Sequence, residues 1–222
     1  MDLAALGLTL RLATLTTFCL LVLATALAAF IARINYLPAR LLQAAIALPL
    51  VLPPTVLGFY LLVALGPATL LGRGLIRILG HPLAFTFTGL VVGSIVFSLP
   101  FAVLPLVLGF QSVDPELTGT AAVLGASPLT VFRRITLPLA STSFLTAAVL
   151  TFAHTVGEFG VVLMLGGDIP GITRTLSISI FDQVQELNYA AANRTSLVLI
   201  VGSFLALLAL YARRSSRRDP DA

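Results

Sequence analysis

Apolar residues along this chain gather into five long runs separated by shorter polar stretches. Each run reaches the roughly 20 residues that a helix needs to cross the hydrocarbon core of a bilayer. The runs cover residues 12–32, 41–65, 83–110, 137–165 and 195–212. The pattern therefore predicts an all-α, polytopic membrane protein with five transmembrane helices in one domain over residues 1–222.

The composition supports this class of protein. Hydrophobic residues make up 58% of the chain and charged residues 10%, and the mean hydropathy is +1.06, whereas about 25% of residues are charged in an average soluble domain. The first run is longer than the apolar core of a signal peptide and lacks the usual basic residues before it. We therefore expect the first run to remain as a membrane span.

All thirteen basic residues are arginine. Without lysine the chain has no P-loop, Schiff-base lysine or lysine general base. A single cysteine and two histidines do not provide a cysteine-cluster metal site. We therefore expect a chain without an enzyme active site, a cofactor or a metal.

The distribution of arginine predicts the orientation of the chain, because cytoplasmic loops carry an excess of basic residues. Five spans place the termini on opposite sides of the membrane. With the C-terminus inside, the cytoplasmic arginines are Arg33, Arg40, Arg133, Arg134, Arg213, Arg214, Arg217 and Arg218. The outer arginines are then the smaller group, Arg11, Arg73, Arg77, Arg174 and Arg194. The sequence thus predicts an outer N-terminus and a cytoplasmic C-terminus.

The cytoplasmic connection 111–136 contains two helix-start signals. Asp114 and Ser127 are each followed by proline, which is the pattern of an N-cap before the first helical residue. Gly125 between them is a typical helix stop. These signals predict two short helices, the first over about 115–124, that form an elbow between the third and fourth runs.

The second helix of the elbow is expected to run through Ile135, before Pro138 opens the next span. The elbow is expected to expose apolar anchors beside cations, namely Leu129, Phe132, Arg133 and Arg134. Such a surface suits the docking of a soluble partner. The alternative is that the two arginines only hold the connection inside and meet lipid headgroups.

The segment "GASPLTVFRRITLP" resembles part of the EAA loop of permease subunits in bacterial ABC importers. Its G-x9-I-x-L-P pattern is matched by Gly125, Ile135, Leu137 and Pro138, while only the last alanine of the glutamate-alanine-alanine start is kept, at residue 121. The resemblance implies that the elbow couples to an ATPase. The residues implied in coupling are Gly125, Ser127, Leu129, Phe132, Arg133, Arg134, Ile135, Leu137 and Pro138.

The resemblance extends over essentially the whole chain. "LPLVLPPTVLGFYLL" (48–62) and "FAHTVGEFGVVLMLGGDIPGITRT" (152–175) are similar to segments of molybdate ABC transporter permeases. Sulfate and tungstate permeases are close relatives of that family. The resemblance implies a type I ABC importer permease fold and ATP-driven import of a tetrahedral oxyanion, molybdate first, by alternating access.

The same resemblance implies the partners and the location of the protein. The implied partners are a second copy of the chain in a homodimer, a cytoplasmic ABC ATPase dimer and an extracytoplasmic oxyanion-binding protein. Membrane lipid surrounds the spans, and no nucleic acid is expected. The implied location is the bacterial inner membrane.

A secondary anion transporter that works without ATP is a different class of protein. It would predict inverted repeats or an ionisable relay at the membrane midplane. No convincing internal repeat is present, and the few charges lie toward the ends of the runs. This class therefore ranks below the importer.

Prolines interrupt the second run. Pro53 and Pro54 remove helix hydrogen bonds, and freed carbonyls in a bilayer must face a neighbouring helix or a wet cavity. With Thr55 beside them, they form either a kink that lines the translocation pathway or a kink used only for packing.

His154 and Glu158 lie four residues apart in the fourth run, so they could touch on one helical face. A carboxylate repels a dianion, so Glu158 is a poor substrate ligand. We therefore expect both residues to be structural, with Glu158 paired to His154 or to Arg174.

The outer segment 166–194 is rich in neutral hydrogen-bond donors, which hold oxyanions without trapping them. Thr173, Thr175 and Ser177 are candidates for the pathway, or else belong to an ordinary loop. A helix over 175–184 is too short to span, so it is either re-entrant or interfacial.

Overall fold

The computed structural model describes residues 2–33 and 36–215. These residues form helices joined by short turns, without a β-strand among them. The helices are α1 (Leu3–Arg33), α2 (Leu37–Ala47), α3 (Pro54–Ala64), α4 (Leu70–Leu79), α5 (Phe87–Gln111), α6 (Pro115–Val123), α7 (Pro128–Val131), α8 (Leu137–Leu139), α9 (Ser141–Val156), α10 (Gly160–Gly166), α11 (Leu176–Gln185) and α12 (Tyr189–Ser215). Arg217 and Arg218, which contribute to the predicted orientation, lie outside the described residues.

The main core lies between α1, α5 and α9. Leu20, Ala24 and Ala28 are spaced four residues apart on α1 and are fully buried. Small residues four apart, such as Ala24 and Ala28, let helix backbones approach closely, which favours helix association in lipid. On α5, Gly109 lies so near α9 that a Cβ atom there would overlap the side chain of Ser143.

Among residues 2–33 and 36–215, three helices are long and apolar enough to cross a membrane, judged by length and composition: α1, α5 and residues Tyr189–Leu208 of α12. Two bent pairs of helical segments also qualify, which allows up to five spans. Leu37–Leu50 and Pro54–Ala64 meet at 112°, and Pro128–Leu139 and Ser141–Val156 meet at 69°. The second and fourth apolar runs are therefore broken and not straight helices.

The break in the second run lies at the two adjacent prolines. Pro53 has an extended backbone, with ψ 133°, and Pro54 is the first residue of α3. A proline ring disfavours helical conformation in the residue before it. Because the amides of Val51 and Leu52 both bond to the carbonyl of Leu48, the preceding helix ends in a closed turn. The kink expected from the sequence is a full interruption.

The fourth run is divided twice. Ala140 separates α8 from α9, and residues 157–159 separate α9 from α10. Phe159 has φ −129° and ψ −60°, outside the helical region. Residues 137–165 are therefore not one continuous helix.

Two glycines set the distance between α3 and α10. A Cβ atom on Gly58 would lie 2.8 Å from Cβ of Met164, and one on Gly160 would lie 2.7 Å from Cβ of Pro54. Both distances are shorter than ordinary carbon contacts. The starts of the two short helices therefore lie side by side.

Thr9 connects α11 to the N-terminal end of α1. The Thr9 hydroxyl oxygen accepts the N–H of Leu176 at 2.9 Å and donates to the carbonyl of Ala5 at 2.8 Å. Both groups are buried, and an amide left unpaired there would be costly. This contact positions the outer segment against the bundle.

Candidate functional site

The elbow forms where its capping residues predict it. Asp114 Oδ1 accepts the N–H of Glu116 at 2.8 Å at the start of α6. Gly125 follows α6 with φ 85°, in the left-handed region that glycine tolerates best. Ser127 Oγ accepts the N–H of Thr130 at 3.3 Å at the start of α7. The prediction of a two-helix elbow is confirmed.

The second half of the elbow is longer than predicted. A π-helical turn, Phe132–Thr136, joins α7 to α8, so helical structure continues to Leu139 instead of ending at Ile135. The expectation that Pro138 opens a continuous span is wrong, because Pro138 lies within α8 and the helix breaks at Ala140 before α9 begins at Ser141. Wide π turns relax the backbone bonding that a proline disrupts, which lets the helix continue through Pro138.

Apolar and basic side chains are exposed together on the elbow. Leu129 is 63% exposed. Arg133 and Arg134, one helical turn further along the chain, are exposed as well. Val123 and Leu124 at the end of α6 are also exposed, although the sequence analysis did not single them out. The signal for them in the sequence was a pair of consecutive apolar residues directly before the glycine that ends the helix.

Phe132 differs from its expected role as an exposed anchor. It is half-buried, and its ring lies edge-to-face with that of Phe110, with centroids 5.6 Å apart. Phe132 therefore ties the elbow to α5. Ile135 is half-buried as well, whereas Leu137 and Pro138 are exposed.

A cavity of about 590 Å³ lies where the starts of α3 and α10 meet the end of α9. Its wall contains Pro54 and Thr55, which the sequence suggested as pathway residues, together with His154 and Glu158. Pro53, which directly precedes Pro54 in the sequence, is exposed. Two features that are about a hundred residues apart in sequence thus form one site.

His154 is held by contacts with α5. Its Nδ1 atom lies 2.9 Å from Ser98 Oγ, which is also 3.1 Å from Thr155 Oγ1. The imidazole stacks on Phe101 with ring centroids 3.9 Å apart. Ser98 was not among the residues expected from the sequence, although Ser94 and Ser98 form a small polar pair at helical spacing within an apolar run, a pattern typical of helix contacts in membranes.

Glu158 is buried without a partner. It is 3% exposed, and neither carboxyl oxygen makes a hydrogen bond to any residue in the described ranges. The Ser94 hydroxyl lies beside the carboxyl group but outside hydrogen-bonding geometry. The expected pairing with His154 or Arg174 is wrong, because α9 ends two residues before Glu158 and the four-residue helical spacing is lost. Arg174 is engaged by aspartates instead.

An ionic cluster links the loop between α10 and α11 to α11 itself. Arg174 forms a fork with Asp168, with Nε–Oδ1 at 2.5 Å and Nη2–Oδ2 at 2.8 Å, and its Nη2 lies 3.5 Å from Asp182 Oδ2. Hydrogen bonding by Arg174 lowers the pKa of Asp168, and the same bond raises the pKa of Arg174. Partial burial, followed by hydrogen bonding with Asp168, raises the pKa of Asp182.

The three pathway candidates in residues 166–194 have local structural roles. Thr173 Oγ1 accepts the N–H of Ile169 at 3.1 Å, and Thr175 Oγ1 caps α11 by accepting the N–H of Ile178 at 3.4 Å. Both threonines are buried, and Ser177 is half-buried. None of the three lines the cavity at the start of α3. Across residues 2–33 and 36–215, no group of three metal-ligating side chains comes together.

Solved structures define the class of protein to which this fold belongs. The chain is similar to a subunit of the bacterial alginate ABC transporter in complex with an alginate pentasaccharide-bound periplasmic protein, with TM-score 0.75, 20% identity, and 97% of this chain and 78% of that chain covered. It is also similar to a chain of the inward-facing MetNI methionine ABC transporter, with TM-score 0.72, 18% identity, and 98% and 97% covered. The fold is that of a type I ABC importer permease, an all-α, polytopic membrane protein.

The chain belongs to the family of binding-protein-dependent transport system inner membrane components, whose model matches residues 12–217. It is 50% identical over 214 residues to the molybdenum transport system permease protein ModB of Azotobacter vinelandii, with 96% of this chain and 94% of that protein covered. It is 34% identical to ModB of Haemophilus influenzae, with 95% and 91% covered. The chain is therefore a transport component and not an enzyme.

Proposed function

We propose that this chain is the membrane-spanning permease subunit of an ATP-driven importer that moves molybdate into the cytoplasm by alternating access. The observation that carries the proposal is the 50% identity to a molybdenum transport permease over 96% of this chain. Sulfate and tungstate are the alternative substrates, because all three ions are tetrahedral dianions with similar hydrogen-bonding surfaces.

The permease works as a homodimer with a cytoplasmic ABC ATPase dimer and an extracytoplasmic oxyanion-binding protein. The similar alginate transporter is in complex with a periplasmic protein that carries its substrate, and this supports the same division of roles here. Membrane lipid covers the exposed apolar faces. The N-terminus is outside and the C-terminus is cytoplasmic.

The elbow receives the ATPase. Gly125 and Ser127 set its turn, Leu129 offers an apolar anchor, and Arg133 and Arg134 offer exposed cations. When ATP closes the ATPase dimer, the two elbows of the homodimer approach each other. The contact between Phe132 and Phe110 transmits this movement to α5, and the tilted helices open the pathway outward.

The oxyanion passes the interrupted second run at Pro53, Pro54 and Thr55. Irregular backbone at membrane depth is tolerated where it is buried in protein or lines a water-filled cavity, and the 590 Å³ cavity adjoins this break. Thr173 and Thr175 shape the outer loop, since their hydroxyls are engaged in it.

Reconstitution tests the substrate and the energy source together. The permease, its ATPase and its binding protein are placed in proteoliposomes, and uptake of molybdate, tungstate and sulfate is measured with and without ATP. We expect molybdate uptake that requires ATP and the binding protein. Uptake without nucleotide would contradict the ATP-driven mechanism. A preference for sulfate would contradict molybdate as the substrate.

The double variant Leu129→Ala with Arg133→Ala tests the elbow. Loss of an interface anchor reduces productive association by roughly tenfold or more, so we expect a similar fall in ATPase activity stimulated by the loaded binding protein. The matched control is Leu197→Ala with Arg194→Ala, which removes one exposed leucine and one exposed arginine from α12. Equal activity of the two double variants would argue against docking at the elbow.

A further inference from the structure

Glu158 is a buried carboxyl group that the proposed function does not yet use. It contributes to the wall of the cavity. Both of its oxygens are buried beside the Ser94 hydroxyl and lack hydrogen-bond partners among the described residues. Burying an isolated ionised carboxylate is very costly, and burying the neutral acid costs much less. The neutral acid also carries one O–H donor, which an oxyanion can accept.

Thr55 provides two further donors beside Glu158. It is the second residue of the 11-residue helix α3, so its N–H has no partner in the helical ladder and lies at the positive end of the helix dipole. Its hydroxyl adds another donor. Gly160 packs against this N–H without a side chain, since a Cβ atom there would lie 3.2 Å from the Thr55 nitrogen.

His154 provides a third donor group. Its Nδ1 is engaged by Ser98, which leaves Nε2 for a ligand. In the tautomer in which Ser98 donates to Nδ1, the hydrogen is on Nε2, and that nitrogen donates. Stacking on Phe101 fixes the plane of the ring, so the direction of the donor is set before a ligand arrives.

We propose that this cavity is a transit site for a tetrahedral oxyanion, in which the Glu158 carboxyl group turns from Ser94 toward the cavity and donates a hydrogen bond as the neutral acid, beside donors from Thr55 and His154. This inference rests on the proposed function. In the described part of the chain, the wall of the cavity contains no arginine, and Glu158 is its one acidic residue. Neutral donors hold an anion weakly enough to release it, which a transport pathway requires.

Substitution of Glu158 tests the transit site in the reconstituted complex of permease, ATPase and binding protein. E158Q keeps a side-chain N–H donor and is nearly isosteric, so we expect ATP-dependent molybdate uptake within about threefold of the wild type. E158L removes the donor, so we expect uptake to fall by about tenfold or more, the usual effect of losing a hydrogen bond to a charged group.

Two controls separate a local effect from a failure of assembly. ATPase activity stimulated by the loaded binding protein should persist in E158L if the complex is intact. E186Q changes an exposed outer glutamate and should leave uptake unchanged. If the E158L complex does not assemble, uptake by E158Q alone shows whether the negative charge of Glu158 is required.

Three results would overturn the transit site while leaving the importer in place. These are full uptake by E158L, loss of uptake in E158Q that matches E158L, and nucleotide-independent leakage of molybdate through E158Q. The second and third would show that the negative charge of Glu158 is what matters. A wild-type complex that takes up no molybdate would contradict the proposed function itself, and the transit site with it.

Discussion

The two aspartates of the ionic cluster around Arg174 lie in unequal surroundings although they share this one arginine. Asp168 receives both arms of the Arg174 fork, whereas Asp182 meets only one arm at 3.5 Å and lies beside the Asp168 carboxyl. The pKa of Asp168 is lowered in the folded state, so its charge stabilises the fold above its unfolded pKa, and this contribution is lost as pH falls through the folded pKa. The pKa of Asp182 is raised, so its charge opposes folding at neutral pH.

We expect Asp168→Asn and Asp182→Asn to shift stability in opposite directions. At neutral pH, Asp168→Asn should lower the apparent unfolding temperature of the detergent-solubilised protein, followed by circular dichroism, and Asp182→Asn should raise it. Each variant controls for the other, since both replace a carboxylate by an amide of the same shape. Acidification should reduce the difference between Asp168→Asn and the parent, because protonation removes the same charge. A shift in the same direction for both would contradict the assigned environments.

Glycine has opposite roles at two positions of the elbow element. Gly125 has φ 85° between α6 and α7, and this conformation costs a residue with a side chain about 1–2 kcal/mol. Gly119 lies within α6, and a Cβ atom there would meet open space. In a helix interior, glycine is less favourable than alanine by about 0.5–1 kcal/mol.

Gly125→Ala and Gly119→Ala therefore form a matched pair. We expect Gly125→Ala to destabilise the elbow by about 1 kcal/mol or more, and Gly119→Ala to stabilise α6 by about 0.5 kcal/mol. Hydrogen exchange of the α6 amides should be faster in the first variant and slower in the second. If the α6 amides exchange at the same rate in both variants, the left-handed turn at Gly125 does not control the stability of the elbow.

Broken helices are the other feature at the scale of the elements. The interruptions at Pro53 and at residues 157–159 place the starts of α3 and α10 side by side, with Gly58 and Gly160 at the contact. Each interruption alone resembles a local packing kink. Together they enclose the cavity that holds Thr55 and Glu158.

For the molecule as a whole, the proposed mechanism requires the elbow and the outer segment to lie on opposite sides of the membrane. Labelling of single cysteines can test this after Cys19→Ser removes the one native cysteine. Leu124→Cys on the elbow and Gln185→Cys at the end of α11 are both exposed positions.

We expect a membrane-impermeant thiol reagent to label Leu124→Cys in inverted vesicles and Gln185→Cys in right-side-out vesicles. The reason is the arginine bias, which predicts that the elbow arginines lie on the cytoplasmic side. Labelling of permeabilised vesicles controls for the reactivity of each position. The reverse pattern would exclude contact between the elbow and a cytoplasmic ATPase.

The sequence by itself determined the features that depend on neighbouring residues in the chain. The apolar runs predicted a helical membrane protein, and Asp114, Gly125 and Ser127 predicted the elbow, because a cap satisfies backbone groups only a few residues away. The motif around Pro138 was sufficient to indicate the family. Pro53 and Pro54 indicated an interruption, since proline acts on the turn that contains it.

Only the tertiary structure decided which distant residues meet. Glu158 lost its expected partner because α9 ends before it, and Phe132 turned inward because Phe110 on α5 offered a ring to pack against. The cavity joins Thr55 to Glu158 through the packing of α3 on α10. Helix spacing predicts contacts within one element, whereas contacts between elements depend on how the breaks and close approaches direct their packing.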